Sequence, residues 1–187
     1  LITAGFKEID DPAGAVLHEE IARIVNDAGI PVIGPNTFGM MNLCANLNAS
    51  FTPEFSRLKP GNVALVSQSG GISHLLGFLA MRDGVGFSKI VGLGNRLNVD
   101  FAEMVDYLME DPDTRAMALY IEGIDRYDDP VGSFISLTSH FLQTSTDHHA
   151  GQRVSRRIGC LHSSNHPAPA QHRDTVTQIK HLLKFMT

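Results

Sequence analysis

The sequence predicts a parallel, doubly wound α/β sheet. Three observations carry that expectation. Short apolar runs alternate with amphipathic helical patterns at close spacing. The run Val63-Ala64-Leu65-Val66-Ser67 stops at Gln68-Ser69-Gly70-Gly71, and a helical pattern starts directly behind it. Four marked spots, Thr3-Ala4-Gly5, Gly34-Pro35-Asn36, Ser67–Gly71 and Glu122-Gly123, end predicted strands. In such sheets ligands sit outside the carboxyl ends of the strands. A single strand–turn–helix junction usually binds nothing; the coincidence of four is what points to a ligand.

The elements follow in order. Leu1 to Phe6 reads as a strand. Asp11-Pro12 starts a helix, with a capping side chain followed by proline at the first helical position. Leu17, Ile21, Ile24, Val25 and Ala28 share one face of it, and Gly29 stops it. Ile30–Ile33 reads as a second short strand. Residues 37–60, with Asn42, Asn46, Asn48, Pro53 and Pro60, show no sustained period and read as a surface connection. Val63–Ser67 is the next strand. The helix behind it turns Ile72, Leu75, Leu76 and Leu79 to the core and stops at Gly84. Lys89–Leu93 is a strand. Asp100 and Glu103 form a capping-box pattern, with Phe101, Met104, Val105 and Leu108 on the apolar face behind it. Asp111-Pro112 ends that helix, and Ala116–Ile121 is a further strand. Phe134 to Leu142 could begin another helix. Ser139–Arg173 supports no element, and Val176–Met186 fits one short helix.

Composition narrows the function classes. The 187 residues are 43% hydrophobic, enough for a real core. No apolar stretch reaches the roughly 18 residues of a membrane span. Cys44 and Cys160 fit neither a metal spacing nor a disulfide framework, so a cytoplasmic location is expected. The charge is uneven: residues 1–129 carry 9 basic and 18 acidic residues, residues 130–187 carry 6 and 2. The acidic part argues against a nucleic-acid surface. The opening residues read like the middle of a domain, as in a fragment.

A series of short motifs then resembles a known family. They are Ile2–Phe6, Ile33-Gly34-Pro35-Asn36-Thr37-Phe38-Gly39, Leu47–Phe51, Lys59–Gly70, Gly86–Lys89, Leu93–Asn95, Val99–Phe101 and Tyr120-Ile121-Glu122-Gly123-Ile124. In order and spacing, residues 1 to about 129 resemble the CoA-ligase domains of the NDP-forming acyl-CoA synthetases, relatives of the succinyl-CoA synthetase α chain. The resemblance implies the end of a Rossmann-like CoA-binding domain over 1–36 and a connection over 37–60. A flavodoxin-like domain over 61–138 and an irregular tail over 139–187, disordered or out of frame, complete the expected layout. It implies ligase chemistry: acyl-CoA and phosphate give acyl phosphate, a histidine takes the phosphoryl group, and a nucleotide receives it. The implied cofactors are coenzyme A and, through an ATP-grasp domain or β subunit as partner, ATP/ADP and Mg²⁺. The isolated chain is expected to be inactive. No nucleic-acid or membrane partner is implied.

By the same resemblance, Ser67, Ser69, Gly70 and Gly71 match the helix start that holds the phosphohistidine phosphate. Glu122 matches the carboxylate that orients the histidine ring; an isolated strand-end glutamate is otherwise simply solvated. Thr3, Ala4 and Gly5 match a loop touching CoA, and Asn36 a turn near its thiol. Thr37 stands where many relatives have Cys. The phosphohistidine should lie about forty residues beyond the glutamate, in a motif of His, small residues and glycine. His162 has the distance but not the motif. His149-Ala150-Gly151 has the motif but comes too early. Both otherwise read as exposed tail histidines, and His74 as an ordinary helix-surface residue. The loss of pattern after Pro130 suggests a tail read in a wrong frame, which the coding DNA would settle. A non-catalytic CoA-binding or regulatory module, as in acetyltransferase-fused relatives, is the alternative. A generic flavodoxin-like phosphate-binding domain fits less well, given the Gly34-Pro35-Asn36 and Tyr120–Ile124 matches.

Overall fold

The computed structural model describes residues 1–7, 9 and 11–122, and the backbone of a strand at 157–162. The elements are α1 (Pro12–Asp27), β1 (Gly39–Asn42), β2 (Leu47–Ser50), a 3-10 turn (Pro53–Arg57), β3 (Pro60–Ser67), α2 (Gly70–Asp83), β4 (Phe87–Gly92), α3 (Phe101–Glu110), β5 (Ala116–Ile121) and β6 (Arg157–His162). The sheet order is β2-β1-β4-β3-β5-β6.

The middle of the sheet is the expected doubly wound unit. β3 pairs in parallel with β4 on one side and β5 on the other. The chain therefore leaves β3 through α2 toward one side, then crosses through α3 to the other. That reversal is a topological switch point, and its crevice opens at the carboxyl end of β3. Both faces are covered, so side chains alternate between two cores. Val63, Leu65, Ala118 and Tyr120 pack with Leu76 and Ala80 of α2. Ala64, Val66, Met117, Leu119 and Ile121 pack with Met104, Val105 and Leu108 of α3. All six residues of β4 are buried, as a sheet covered on both faces requires.

The helix ends follow from local chemistry. Asp11 caps α1 by accepting from Ala13 N, with Pro12 in the first turn. Asp100 and Glu103 form the reciprocal box at the start of α3. Gly84, at φ 74°, ends α2 in the left-handed conformation.

Several expectations are corrected. Residues 37–60 are not irregular: β1 and β2 form an antiparallel hairpin that joins the sheet through β1 and β4. The sheet is therefore mixed, not wholly parallel. The segments at Leu1–Phe6 and Ile30–Ile33 are not strands, although they lie side by side. Leu1 N donates to Ile33 O at 2.8 Å. The next rung of such a parallel ladder needs an N–H from residue 35, which is proline and has none. Leu17 and Ile24 of α1 are exposed, because among the described residues nothing packs on that side. In α2, Leu75 is exposed, and Ser73, Leu76, Gly77 and Ala80 form the buried stripe instead. Gly77 is needed there because a Cβ would run into the Phe55 ring. β4 begins two residues before the expected strand. Finally, residues 157–162 form an edge strand parallel to β5, where no element was expected. The helical readings at 134–142 and 176–186 lie outside the described residues.

The loop behind β4 fastens the Gly34-Pro35-Asn36 turn to the sheet. Gly34 N donates to Leu93 O, Asn95 N to Pro35 O and Leu97 N to Gly34 O, at 3.1, 2.9 and 2.9 Å. Asn98 adds a side-chain clamp, accepting from Val32 N and donating to Ile30 O, both at 2.8 Å. Gly94 allows this close approach: it sits at φ 57°, and a Cβ there would meet the Pro35 and Asn36 carbonyls. Gly94→Ala is expected to cost about 2–3 kcal/mol, the left-handed penalty plus displacement of backbone. Gly84→Ala, at a similar φ but with nothing within 4 Å of the added carbon, should cost only about 1 kcal/mol. Urea denaturation of the two variants reads the difference; equal losses would show that the approach at Gly94 is not tight.

Candidate functional site

The crevice at the switch point is a cleft of about 470 Å³, lined by Ile2, Asn36, Thr37, Phe38, Phe51, Gln68, Ser69, Gly70, Gly71, His74 and Glu122. Its floor is the junction from β3 to α2. Ser67 is fully buried, and its hydroxyl donates to Ser69 O at 2.9 Å and accepts from Ser69 N at 3.1 Å. Ser67 thus shapes the turn from beneath and does not line the cleft. Ser69 is the N-cap of α2, its hydroxyl accepting from Ile72 N at 3.3 Å.

A helix start leaves its first N–H groups without intrahelical acceptors. Ser69 takes that of Ile72 through its hydroxyl and that of Ser73 through its carbonyl. The N–H groups of Gly70 and Gly71 remain, facing the cleft with the positive end of the helix dipole behind them. A Cβ at either glycine would meet nothing closer than 3.8 Å, so the lining is open there. Such an end accepts a phosphate or carboxylate.

Gln68 carries the opposite wall. Its backbone N donates to Tyr120 O at 3.1 Å, and its Oε1 accepts from Glu122 N at 2.7 Å. One side chain thereby ties the end of β3 to the end of β5 and sets Glu122 across from the helix start. Sequence reasoning singled out Glu122 but not this tether.

Asn36 lines the cleft, exposed and at φ 53°. Its N–H donates to Thr3 O at 2.7 Å, which draws the 3–5 segment alongside. Thr3, Ala4 and Gly5 do not line the cleft themselves; Ile2 does. Thr37 turns its buried hydroxyl inward to Gly92 O and accepts from Gly39 N, holding the start of β1.

His74 corrects the sequence reading, because it is a cleft residue and not an ordinary surface histidine. Its Nδ1 lies 2.8 Å from Gly70 O, and its Nε2 lies 2.6 Å from Thr52 Oγ1. A carbonyl can only accept, so Nδ1 carries a proton. In the neutral ring Nε2 then accepts from the Thr52 hydroxyl. The rings of Phe38, Phe51 and Phe55 surround it with centroids at 5.6, 5.2 and 5.5 Å. The only signal in the sequence is its spacing, one helical turn beyond Gly70.

The two candidate histidines fare differently. In the β5–β6 register Ile121 stands opposite His162, so the backbone of His162 lies at the same end of the sheet as Glu122. His149 lies outside the described residues. Among the described residues no cluster of three His, Cys, Asp or Glu could hold a metal, and no helix is long and apolar enough to cross a membrane.

Residues 60–147 match the family model of the succinyl-CoA ligase like flavodoxin domain. Over 124 residues the chain is 41% identical to the α subunit of acetate–CoA ligase [ADP-forming] II of Pyrococcus furiosus, covering 66% of this chain and 26% of that protein. It is 37% identical to acetate–CoA ligase [ADP-forming] of Methanocaldococcus jannaschii, covering 66% and 17%. The chain thus spans about a quarter or less of these two relatives. A similar solved structure is the dinucleotide forming acetyl-coenzyme A synthetase 1 of Ca. Korarchaeum cryptofilum in complex with phosphate and ADP. Its TM-score is 0.72 at 30% identity, covering 96% of this chain and 34% of that one. A crystal structure from Pyrococcus horikoshii OT3 gives 0.73 at 30% identity, covering 96% and 36%.

Proposed function

From the match of residues 60–147 to the succinyl-CoA ligase like flavodoxin domain and the likeness to ADP-forming acetate–CoA ligases, we propose that residues 1 to about 129 are CoA-ligase domains of the NDP-forming acyl-CoA synthetase type and that the chain is the CoA-ligase part of such an enzyme. The reaction interconverts acyl-CoA, phosphate and NDP with acid, CoA and NTP. The observation that carries the reading is the cleft itself, where an open helix start and Glu122, its backbone N–H held by Gln68, line the same crevice at the switch point.

In this reading the Gly70 and Gly71 N–H groups and the α2 dipole hold a phosphoryl group. Ser69 keeps that turn in register, and Ser67 supports it from below. Phosphoryl transfer demands mostly positioning and charge stabilisation, which a preorganised backbone supplies. Glu122 accepts a hydrogen bond from one nitrogen of a phosphoacceptor histidine, fixing its tautomer and leaving the other nitrogen as nucleophile. The β6 register, which sets the His162 backbone opposite Ile121, supports His162 for that role. CoA supplies the thiol that carries the acyl group. The exposed Thr3 and Ala4, the half-buried Gly5 and the exposed Asn36, joined through Thr3 O, form an edge beside the cleft that suits it. The nucleotide and Mg²⁺ belong to an ATP-grasp domain or β subunit that works with this chain, as expected for relatives named as α subunits.

The test is phosphorylation of the complete enzyme, with its nucleotide-binding partner, by γ-labelled ATP and Mg²⁺. Acid-labile, base-stable label is expected on this chain. Glu122→Gln should slow labelling on the order of 10²-fold, as for loss of a residue that sets a histidine tautomer. Absence of label in the intact enzyme would refute the reading, and an unchanged rate in Glu122→Gln would remove Glu122 from the site.

A further inference from the structure

The cleft has two unlike ends. One is the polar helix start with Glu122 opposite. The other is apolar: Phe51 lines it, with its ring centroid 5.2 Å from that of His74. His74 stands four residues beyond Gly70 on α2, so their backbone positions are about one helical pitch, roughly 5.4 Å, apart. Phe38 is buried, but Phe51 is 57% exposed. A large exposed aromatic inside a cleft is surface available to a ligand.

Phe51 is also held in place. The next residue, Thr52, is 6% exposed and donates its hydroxyl to His74 Nε2 at 2.6 Å. His74 in turn donates to Gly70 O at 2.8 Å, on the helix that forms the anion end. Thr52 O accepts from Asn48 Nδ2 at 3.1 Å, tying the same turn to β2. The apolar wall and the phosphoryl end are therefore linked through one imidazole.

We propose that Phe51 is the wall against which the acyl chain lies and that it selects carboxylic acids with an uncharged, apolar side chain, with His74 and Thr52 as its positioning residues. The proposal rests on the acyl-CoA synthetase reading. An acyl phosphate, with its phosphoryl group at Gly70 and Gly71, would extend its carbon chain toward Phe51. A second carboxylate there would be desolvated against an aromatic face, in a cleft that already carries Glu122.

The test uses the complete enzyme with acetate, butanoate and succinate as acids. Butanoate and succinate have the same carbon count and differ in a terminal methyl or carboxylate. The wild type should prefer butanoate over succinate by at least about tenfold in kcat/KM. Phe51→Ala should lower kcat/KM for butanoate about tenfold relative to acetate, the effect of two methylenes losing apolar contact. Labelling by ATP, which involves no acid, is measured in parallel, and the acid ratios are compared per labelled enzyme. Phe51→Leu should keep most of the preference. Thr52→Val should shift the acid ratio in the same direction, and Thr52→Ser should restore it, which a general loss of stability would not do. The proposal fails if Phe51→Ala leaves the ratio of butanoate to acetate unchanged, or if the wild type takes succinate as well as butanoate. Absence of label in the wild type removes the functional reading, and this proposal with it.

Discussion

Phe55→Ala is expected to remove about 3–5 kcal/mol of folding stability, the usual cost of emptying a buried aromatic site. The ring is fully buried. It stacks edge-on with Phe78 at 5.1 Å and lies against His74 at 5.5 Å. It also fills the notch left by Gly77, whose missing side chain is what admits it. The site cannot collapse easily, because α2 is fixed at one end by the Ser69 cap and along its length by Leu76 and Ala80 in the core. Equilibrium denaturation in urea measures the loss. Phe55→Leu, retaining most of the volume, should lose much less. A loss below about 1.5 kcal/mol in Phe55→Ala would mean that α2 and the 3-10 turn close over the gap.

Lys89→Met should cost a similar amount for a different reason. Lys89 in β4 is 4% exposed and sits 2.6 Å from Asp111 Oδ2, with Asp113 at 3.9 Å. Thr114 also donates to Asp111, and Ser88 bonds Thr114 at 2.8 Å. Burial pushes the Asp111 carboxyl up, but hydrogen bonds from Lys89 and Thr114 more than offset it and hold it below the usual carboxylate range. Removing the ammonium leaves a buried carboxylate without its counterion, typically about 3–5 kcal/mol.

The sign with pH follows from linkage. In the wild type the Asp111 contribution is present above the unfolded carboxylate value, near 3.9, and is lost as pH falls through the lower folded one. In Lys89→Met the folded value rises instead, so that variant's deficit is full at neutral pH and narrows as pH falls through the raised folded value toward the unfolded one, near 3.9. Lys89→Met combined with Asp111→Leu should recover much of the loss, since an apolar replacement of a buried pair is often nearly neutral. Denaturation midpoints at pH 7 and pH 4 read both effects; a deficit independent of pH would show that Asp111 is not the group left stranded.

Much of the fold was legible in the sequence where local chemistry decides it. α3 has a capping box and a clean apolar stripe, and its start, end and buried face match the expectation. β5 matches residue for residue. The hairpin at β1 and β2 was not legible, because its four-residue strands gain most of their stability by pairing with β4 and with each other. The small-residue stripe of α2 was misread for a related reason. Hydrophobicity ranked Leu75 above Gly77, but the shape of Phe55 decided which face turned inward. β6 has its pairing partner forty-one residues upstream, and nothing within it announces a strand.

The candidate site divides along the same line. The sequence by itself determined the polar junction from Ser67 to Gly71 and the strand-end glutamate, because an apolar run ending in small polar residues and glycine already dictates an open helix start. Only the tertiary structure decided that Gln68 tethers Glu122 across from that start. It alone turned Ser67 inward and brought Thr52, His74 and Phe51 to the far end of the same cleft. Caps and strand ends depend on neighbours in sequence, and the cleft depends on which strands lie beside β3. That order is set by packing over the whole sheet, and no local stretch of the chain encodes it.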